Sequence, residues 1–428
     1  MQVFREEKYI KAIPLALVYL LSFLSFSFGG KNAIVCVLLA STFIFTAFFQ
    51  GELLYLLPIV FVGNDALGTV VAGKISFIWL TAVLIIAEKL RKRESRISIS
   101  GFGLLIFSLA YVFFLIFVQN TYYSEIIKTA QFLLFVLYVF EEDRMGRVQW
   151  NTFWRLFGIS CVLVAIHQIV FGGIEYAISS GEVASMRYGI IGTGTGDPNY
   201  GGLRLVTGVI CVFYTINRRI LKWPMVLILL YAMVNTLSLT TLASLILIIC
   251  TGVFFEPTAS KKVRWVAGIA FVVVLVRYLA PLIPKEYLPS GMDALLFRID
   301  ERLTFAQTGN FSAASTRRTS LASGQLEYAL MRPTFQFLFG MEPTPAPGFT
   351  LFAHNTYVDW IIHFGIVGFI LLIILIIKRF FGRMRMIPCG KEQICVQQLK
   401  VLYLFYLFGL SVYSSELFAI WVLVLLLL

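Results

Sequence analysis

The sequence has little charge and few residues that bind metals. Only 14% of its 428 residues are Asp, Glu, Lys or Arg, whereas a soluble domain usually has about 25%. Its three His and six Cys include no group with the spacing of a zinc site or a disulfide framework. These shortages exclude a soluble globule of this length, and we expect no metal and no other cofactor.

Several sequence patterns of other protein classes are also missing. The chain shows no internal repeat and no matching pair of Gly- or Pro-broken spans, which argues against a transporter. The glycine-rich segment 192–199 lacks the Lys-Ser/Thr ending of a nucleotide-binding loop. There is no concentrated basic arm, so the net charge of +12 does not indicate nucleic-acid binding.

What the chain does have is long apolar runs. Apolar residues make up 59% of it, and the mean hydropathy is +0.85. Runs of about 17–25 apolar residues are typical of membrane-spanning helices. The sequence therefore predicts an all-α, polytopic membrane bundle with 12–14 transmembrane helices. The candidate spans are 12–29, 33–49, 53–70, 72–88, 99–118, 124–140, 152–171, 201–217, 221–238, 240–255, 265–283, 355–377, 396–411 and 413–428.

The distribution of Lys and Arg predicts how these spans are oriented. Most of the 35 basic residues lie in alternate connecting segments, among them 89–96, 218–222, 261–264 and 378–391. Basic residues in short loops stay on the cytoplasmic side. We therefore place the amino terminus inside, with an uncleaved first helix.

Two segments on the opposite, outer face are long enough to be functional, 172–200 and 284–352. They suggest three regions: spans with short loops over 1–283, one large outer loop with short helices over 284–354, and final spans over 355–428. Helical spacing between Ala322 and Phe339 predicts a lid helix across the membrane surface. Its predicted apolar face consists of Leu326, Ala329, Leu330 and Phe337.

One histidine stands where the large outer loop re-enters the membrane. His354 is placed to exchange protons at that boundary, although anchoring a helix end is an alternative role. His167 and His363 lie inside apolar runs, where a packing role is more common. Gly365 and Gly368 predict that a neighbouring helix approaches closely and holds His354 in place.

Arginines of the same outer face are the candidate anion ligands. Arg187 precedes a glycine-rich turn that contains Asn199, and Arg317 and Arg318 lie in the large loop. Arg204 and Arg277 lie about one turn inside the outer ends of spans, where a partner, a wet cavity or snorkelling would accommodate them. Guanidinium groups suit a lipid-linked diphosphate, and His354 could take a proton from an attacking hydroxyl.

Three segments resemble the O-antigen ligase and O-antigen polymerase superfamily of bacterial envelope proteins. They are RYGIIGTGTGDPN, LASGQLEYALMRPTFQFLFG and HNTYVDWIIHFGIVG, and they occur in the family's order within residues 185–380. The resemblance implies a multi-pass protein of the bacterial plasma (inner) membrane whose active face is extracytoplasmic. It implies transfer of a glycan from undecaprenyl diphosphate to an acceptor hydroxyl without a metal or a nucleotide sugar.

The resemblance also implies roles for individual residues. His354 matches the family's catalytic histidine, and Arg187 matches its arginine near the Asp-Pro-Asn turn. Gln325 stands where many members have a second essential arginine, so we assign that role to Arg318, with Arg317 second. Asn199, Asn355, Arg204 and Arg277 complete the predicted substrate-binding set. Thr240 and Thr241 stand where relatives often read Ser-Arg.

Three functions remain open at this point. A polymerase would use another lipid-linked repeat unit as acceptor, and a ligase would use the lipid A core. We favour the polymerase because ligases are fewer in the family and the motifs here are divergent. A lipid-linked oligosaccharide flippase would need a midplane site, for which Asn64, Asp65 and Lys74 are the only hint. Expected partners are the lipid-linked donor, the glycan acceptor, the bilayer and other polysaccharide-assembly proteins.

Overall fold

The structure is a computed structural model. It describes residues 2–27, 32–63, 69–70, 75–92, 134–135, 137–171, 174–177, 184–187, 198–236, 238–256, 258–260, 262–263, 266–267, 299–300, 304–305, 307–309, 318–340, 348, 355–383 and 391–406.

Helices make up most of the described chain. In order they are α1 (Gln2–Ser27), α2 (Ala33–Ile44), α3 (Leu53–Gly63), α4 (Phe77–Lys92), α5 (Trp150–Phe171), α6 (Pro198–Thr215), α7 (Arg219–Asn235), α8 (Leu239–Phe255), α9 (Arg318–Leu330), α10 (Thr334–Phe339), α11 (Thr356–Arg383) and α12 (Lys391–Leu404). A π-helical turn, Phe45–Phe49, continues α2. Residues 137–144 are also helical.

Two short antiparallel hairpins lie between helices. Their strands are β1 (Thr69–Val70), β2 (Ile75–Ser76), β3 (Ile174–Ala177) and β4 (Ala184–Arg187). β1 pairs with β2, and β3 pairs with β4 with Ile174 opposite Arg187. The described chain is therefore a helical structure, as the all-α class predicts, with two local hairpins.

The helix boundaries agree with most of the predicted spans. α5 to α8 match the predictions 152–171, 201–217, 221–238 and 240–255 to within one turn. The predictions 53–70 and 72–88 were wrong in their boundary, because α3 ends at Gly63 and the β1–β2 hairpin precedes α4. Asn, Asp and Gly follow α3 in the sequence, and these residues favour turns over helix interiors.

Part of the predicted bundle cannot be compared with the structure. The spans 99–118 and 413–428, and most of 124–140 and 265–283, lie outside the described residues.

α6 is the central helix of the described bundle. Residues 201–212 are all buried, and α6 packs against α5, α7, α8 and α12. A helix that is apolar and buried on every side is typical of a core position.

Small residues bring α5 and α6 close together. A Cβ placed on Gly208 would lie 2.5 Å from the Cβ of Cys161, and one placed on Gly158 would lie 3.0 Å from the Cβ of Cys211. In each helix, a glycine thus packs against the cysteine side chain of the other helix. This reciprocal pattern allows a short distance between the two backbones.

A polar network joins the end of α4 to the helical residues 137–144. Lys89 Nζ lies 3.3 Å from Glu142 Oε1, and Tyr138 Oη donates a hydrogen bond of 3.0 Å to Glu88 Oε2. Glu88 and Glu142 are both buried. Their carboxylates are kept inside the protein by these partners, since burying a charge without one is costly.

Among the described residues, one helix has the length and the apolar composition needed to cross a membrane. It covers Trp150–Val170 in α5, with a mean hydropathy of 1.7. Five further apolar segments are shorter: Ala12–Ser25, Ala33–Phe49, Leu53–Gly63, Gly201–Thr215 and Leu239–Phe255.

The α5–α6 contact predicts that Gly208→Ala destabilises the protein. Alanine is the better helix former by about 0.8–1.0 kcal/mol, but the added methyl group would collide with Cys161, and overpacking costs about 1–3 kcal/mol. Thermal unfolding of the purified protein should show a lower midpoint. Val170→Ile adds one carbon at an exposed position of α5 and should leave the midpoint unchanged. A Gly208→Ala protein at least as stable as wild type would contradict this packing.

Candidate functional site

Asn355 caps the helix that begins directly after His354. Its Oδ1 accepts hydrogen bonds from the backbone N–H groups of Tyr357 at 3.0 Å and Val358 at 3.3 Å. These are two of the N–H groups that lack a partner in the first turn of a helix. The oxygen of Asn355, a residue predicted to bind substrate, is therefore used to start α11. His354 itself lies outside the described residues.

α11 is kinked at Gly365, which has φ 67° and ψ 178°. This backbone conformation is essentially restricted to glycine. A Cβ at Gly365 would lie 2.3 Å from the carbonyl oxygen of Leu338 and 2.4 Å from the amide nitrogen of Gly340. The close approach predicted at Gly365 is thus confirmed, and the neighbour is the end of α10.

The expectation for Gly368 differs from what the structure shows. A Cβ there would meet Phe364, at 2.7 Å from its Cβ, within α11 itself. Phe364 is drawn toward Gly368 because the kink lies between them. Gly368 therefore accommodates the bend of its own helix.

α9 packs against the first turns of α11. Ala322, Leu326 and Ala329 of α9 form a small apolar cluster with Val358 and Ile362 of α11. Ala329 and Ile362 are almost fully buried. The helix that begins at Arg318 and the helix that begins after His354 are thus packed together.

The predicted lid helix is in fact two helices. α9 ends at Leu330 and α10 begins at Thr334, because Pro333 lacks the N–H needed to continue a helix. Leu326 and Ala329 lie on the packed face as predicted, but Leu330 is 60% exposed. Phe337 belongs to α10 and was wrongly placed on the same helical face.

Arg332 lies in the short connection between α9 and α10 and forms a hydrogen bond to α11. Its Nη1 donates a hydrogen bond of 3.1 Å to the carbonyl oxygen of Ile362, and its guanidinium lies 5.5 Å from the ring centroid of Tyr328. Ile362 lies one turn before the kink at Gly365, where the regular ladder of helical hydrogen bonds is interrupted. The arginine therefore supplies a donor at the bend.

Two more polar residues are buried at this pair of helices. Gln325 of α9 and Asp359 of α11 are both 0% exposed. Gln325 lies on the packed face of α9, at the position where the resemblance expects an arginine. Sequence reasoning passed over Asp359 and Arg332, although an acidic residue in the first turn of an apolar span is itself a signal of function.

The structure brings only some of the predicted site residues together. Arg318 is the first residue of α9 and so belongs to the α9–α11 assembly. Arg187 ends β4, between α5 and the central helix, whereas Asn199 lies in the first turn of the central helix α6 itself. Arg277 and Arg317 lie outside the described residues.

Arg204 lies inside the bundle rather than at its outer surface. It is only 4% exposed, and it is close enough to Cys161 and Tyr403 for its charge to act on both. The hydroxyl groups of Tyr403 and Thr207 are 3.2 Å apart beside it. Snorkelling does not describe this side chain, and its role in substrate binding stays a prediction.

Comparison with protein-family models, with curated proteins and with solved structures finds no match to this chain.

Replacing Gly365 should detach α10 from α11. Gly365→Ala introduces a methyl group into the backbone of α10 and forces an unfavourable φ, so hydrogen exchange of the amides in 334–340 should become faster. Gly146→Ala is the matched control, because Gly146 has φ +68° but nothing lies within 4 Å of the position that a Cβ would take. Equal effects of the two substitutions on exchange in 334–340 would contradict the contact.

Substitutions of Asn355 separate helix capping from substrate binding. Asn355→Ala should destabilise the protein by about 1 kcal/mol through loss of the cap. Asn355→Asp keeps an acceptor oxygen and should restore the unfolding midpoint. If the amide also binds substrate, Asn355→Asp will be stable but poorly active, whereas a role in capping alone predicts that stability and activity recover together.

Proposed function

We propose that this chain is a multi-pass glycosyltransferase of the bacterial plasma membrane with 12–14 transmembrane helices. It polymerises an O-antigen, a capsule or another polysaccharide at the extracytoplasmic face. The donor is a glycan on undecaprenyl diphosphate, and the acceptor is a hydroxyl of another lipid-linked glycan. The proposal combines the sequence resemblance with the packing of the loop helices on α11.

Large apolar side chains on the outside of the bundle support the membrane placement. Exposed examples occur on α1, α2, α4, α7 and α8: Ile13, Ile34, Val83, Ile220 and Phe254. A soluble monomer rarely exposes this much apolar surface. Lipid would cover these side chains without a free-energy penalty.

Hydroxyl groups within the helices support the same placement. Several donate to the carbonyl oxygen four residues earlier, as Thr207 does to Leu203 at 2.7 Å and Ser244 to Thr240 at 2.7 Å. This bond satisfies a polar side chain without water. It is therefore suited to helices in a hydrocarbon environment.

The observation that carries the catalytic proposal is the docking of the outer loop immediately after His354. Ala322 lies four residues after Arg318, and Val358 lies four residues after His354; both belong to the cluster between α9 and α11. Arg332 and Gly365 add two further connections to the same assembly. A base just before α11 and a guanidinium at the start of α9 would, with the two helices packed in this way, be held near a defined separation, which catalysis requires.

The proposed reaction is a single displacement. The His354 imidazole accepts the proton of the acceptor hydroxyl, and the hydroxyl oxygen forms a bond to the anomeric carbon of the donor glycan. The bond between that carbon and the diphosphate oxygen breaks, and undecaprenyl diphosphate leaves with the electron pair. Arg318 and Arg187, with Arg317 in support, would stabilise the negative charge that develops on the diphosphate.

Polymerisation by the purified protein tests this proposal. Wild-type protein in liposomes should lengthen lipid-linked repeat units that serve as both donor and acceptor, and His354→Gln should reduce the rate by about 10²–10⁴-fold through loss of the base. His363→Gln, in α11, should retain activity. Normal polymer from a correctly inserted His354→Gln protein would refute the assignment of the base.

The same assay separates the candidate functions. A ligase would leave repeat units unchanged until lipid A core is added. A flippase would move labelled lipid across the vesicle membrane without altering its glycan. Either result would refute the polymerase proposal.

A further inference from the structure

A groove lies between α6, α7, α8 and α12. Its volume is about 240 Å³, many times the share of one water molecule, which is about 30 Å³. The lining is almost entirely apolar and includes Phe213, Trp223, Leu245 and Ile249. A space of this size and character is suited to a hydrocarbon chain.

The amide of Gln398, a polar group in the wall of the groove, is hydrogen-bonded to the backbone. Gln398 of α12 donates a hydrogen bond of 3.2 Å from Nε2 to the carbonyl oxygen of Ile248. A Cβ at Gly252 would lie 2.8 Å from the same nitrogen. The glycine therefore leaves room for the amide beside α8 and keeps this part of the wall close-packed.

Aromatic and basic side chains surround the end of the groove where α7 begins. Phe213 and Trp223 pack edge to face with ring centroids 6.2 Å apart, and Lys222 Nζ lies 5.1 Å from the ring centroid of Phe213. Trp223 is 51% exposed. Arg218 and Arg219 are exposed at the beginning of α7, a few residues before it.

The charge at this end favours an anionic ligand. No acidic residue occurs between Phe213 and Trp223, and Lys262 lies over Phe254 at the end of α8. Among the described residues, one carboxylate, that of Glu256, directly follows α8. Cations therefore outnumber carboxylates beside an apolar groove, an arrangement that matches a phosphate headgroup above an acyl chain.

We propose that this groove binds one acyl chain of an anionic phospholipid from the cytoplasmic leaflet, with the phosphate held by Arg218 and Arg219. The inference rests on the membrane placement within the proposed function and not on its chemistry. The segment 218–222 is predicted to be cytoplasmic, and anionic lipids on that side attract basic residues. The bound lipid would fill a gap between α8 and α12 that protein side chains leave open.

Filling the groove should expel the lipid. Delipidated protein is incubated with phosphatidylglycerol, or with phosphatidylcholine that has the same acyl chains, and bound lipid is counted by native mass spectrometry. Wild type should retain one phosphatidylglycerol in preference to phosphatidylcholine. Ile249→Trp places a large side chain in the groove and should no longer retain phosphatidylglycerol. Ile246→Trp, on the exposed face of the same helix, should retain it as wild type does.

Removing the cations should abolish the preference for the charged lipid. Arg218→Gln with Arg219→Gln should weaken phosphatidylglycerol binding roughly tenfold and leave phosphatidylcholine binding unchanged. Arg91→Gln with Arg144→Gln removes the same charge from two other exposed arginines and should have little effect. This pair controls for a general loss of positive charge.

Each unexpected outcome identifies what is wrong. Undiminished retention by the Ile249→Trp protein, provided that it elutes and unfolds as the Ile246→Trp protein does, would refute the groove as the site. Equal retention of both lipids by wild type would refute the anionic headgroup. Glycan polymerisation is measured on the same samples, so its failure alongside selective lipid binding would refute the enzymatic proposal and leave this inference standing.

Discussion

The packing of α9 and α10 on α11 depends on a contact between two backbones. α10 reaches α11 at Gly365, where the carbonyl of Leu338 and the amide of Gly340 occupy the space that any side chain would need. The same residue has a φ and ψ that only glycine adopts readily. The kink therefore provides both the surface on which α10 docks and the carbonyl of Ile362 that Arg332 binds.

α11 connects this docked loop to the rest of the molecule. Val358 and Ile362 pack against α9, while Trp360 and Phe364 belong to the large core formed by the other helices. Opposite faces of one short helical segment thus hold the loop and the bundle. Any movement of the first turns of α11 would therefore disturb both.

The sequence predicted individual helices better than it predicted contacts between them. Apolar runs located α5 to α8 because the length of such a run is a local property. The reciprocal Gly208–Cys161 packing and the burial of Gln325 depend on which helices become neighbours, which periodicity does not reveal. Gly365 was recognised as a point of close approach, but its partner came from a loop helix that Pro333 separates from α9. The roles predicted for His354 and Arg318 come from residue chemistry and from the resemblance, and they stay predictions.

The α9–α11 assembly and the groove differ in their polar chemistry, and this difference favours a division of roles. At the α9–α11 assembly, polar residues such as Gln325 and Asp359 are fully buried between packed helices. At the groove, cations such as Arg218 remain exposed beside an apolar space. Buried polar groups are costly unless they are satisfied, so they persist where precise geometry is useful. Exposed cations beside an apolar groove require no such precision and suit the exchangeable lipid that we propose as the ligand of the groove.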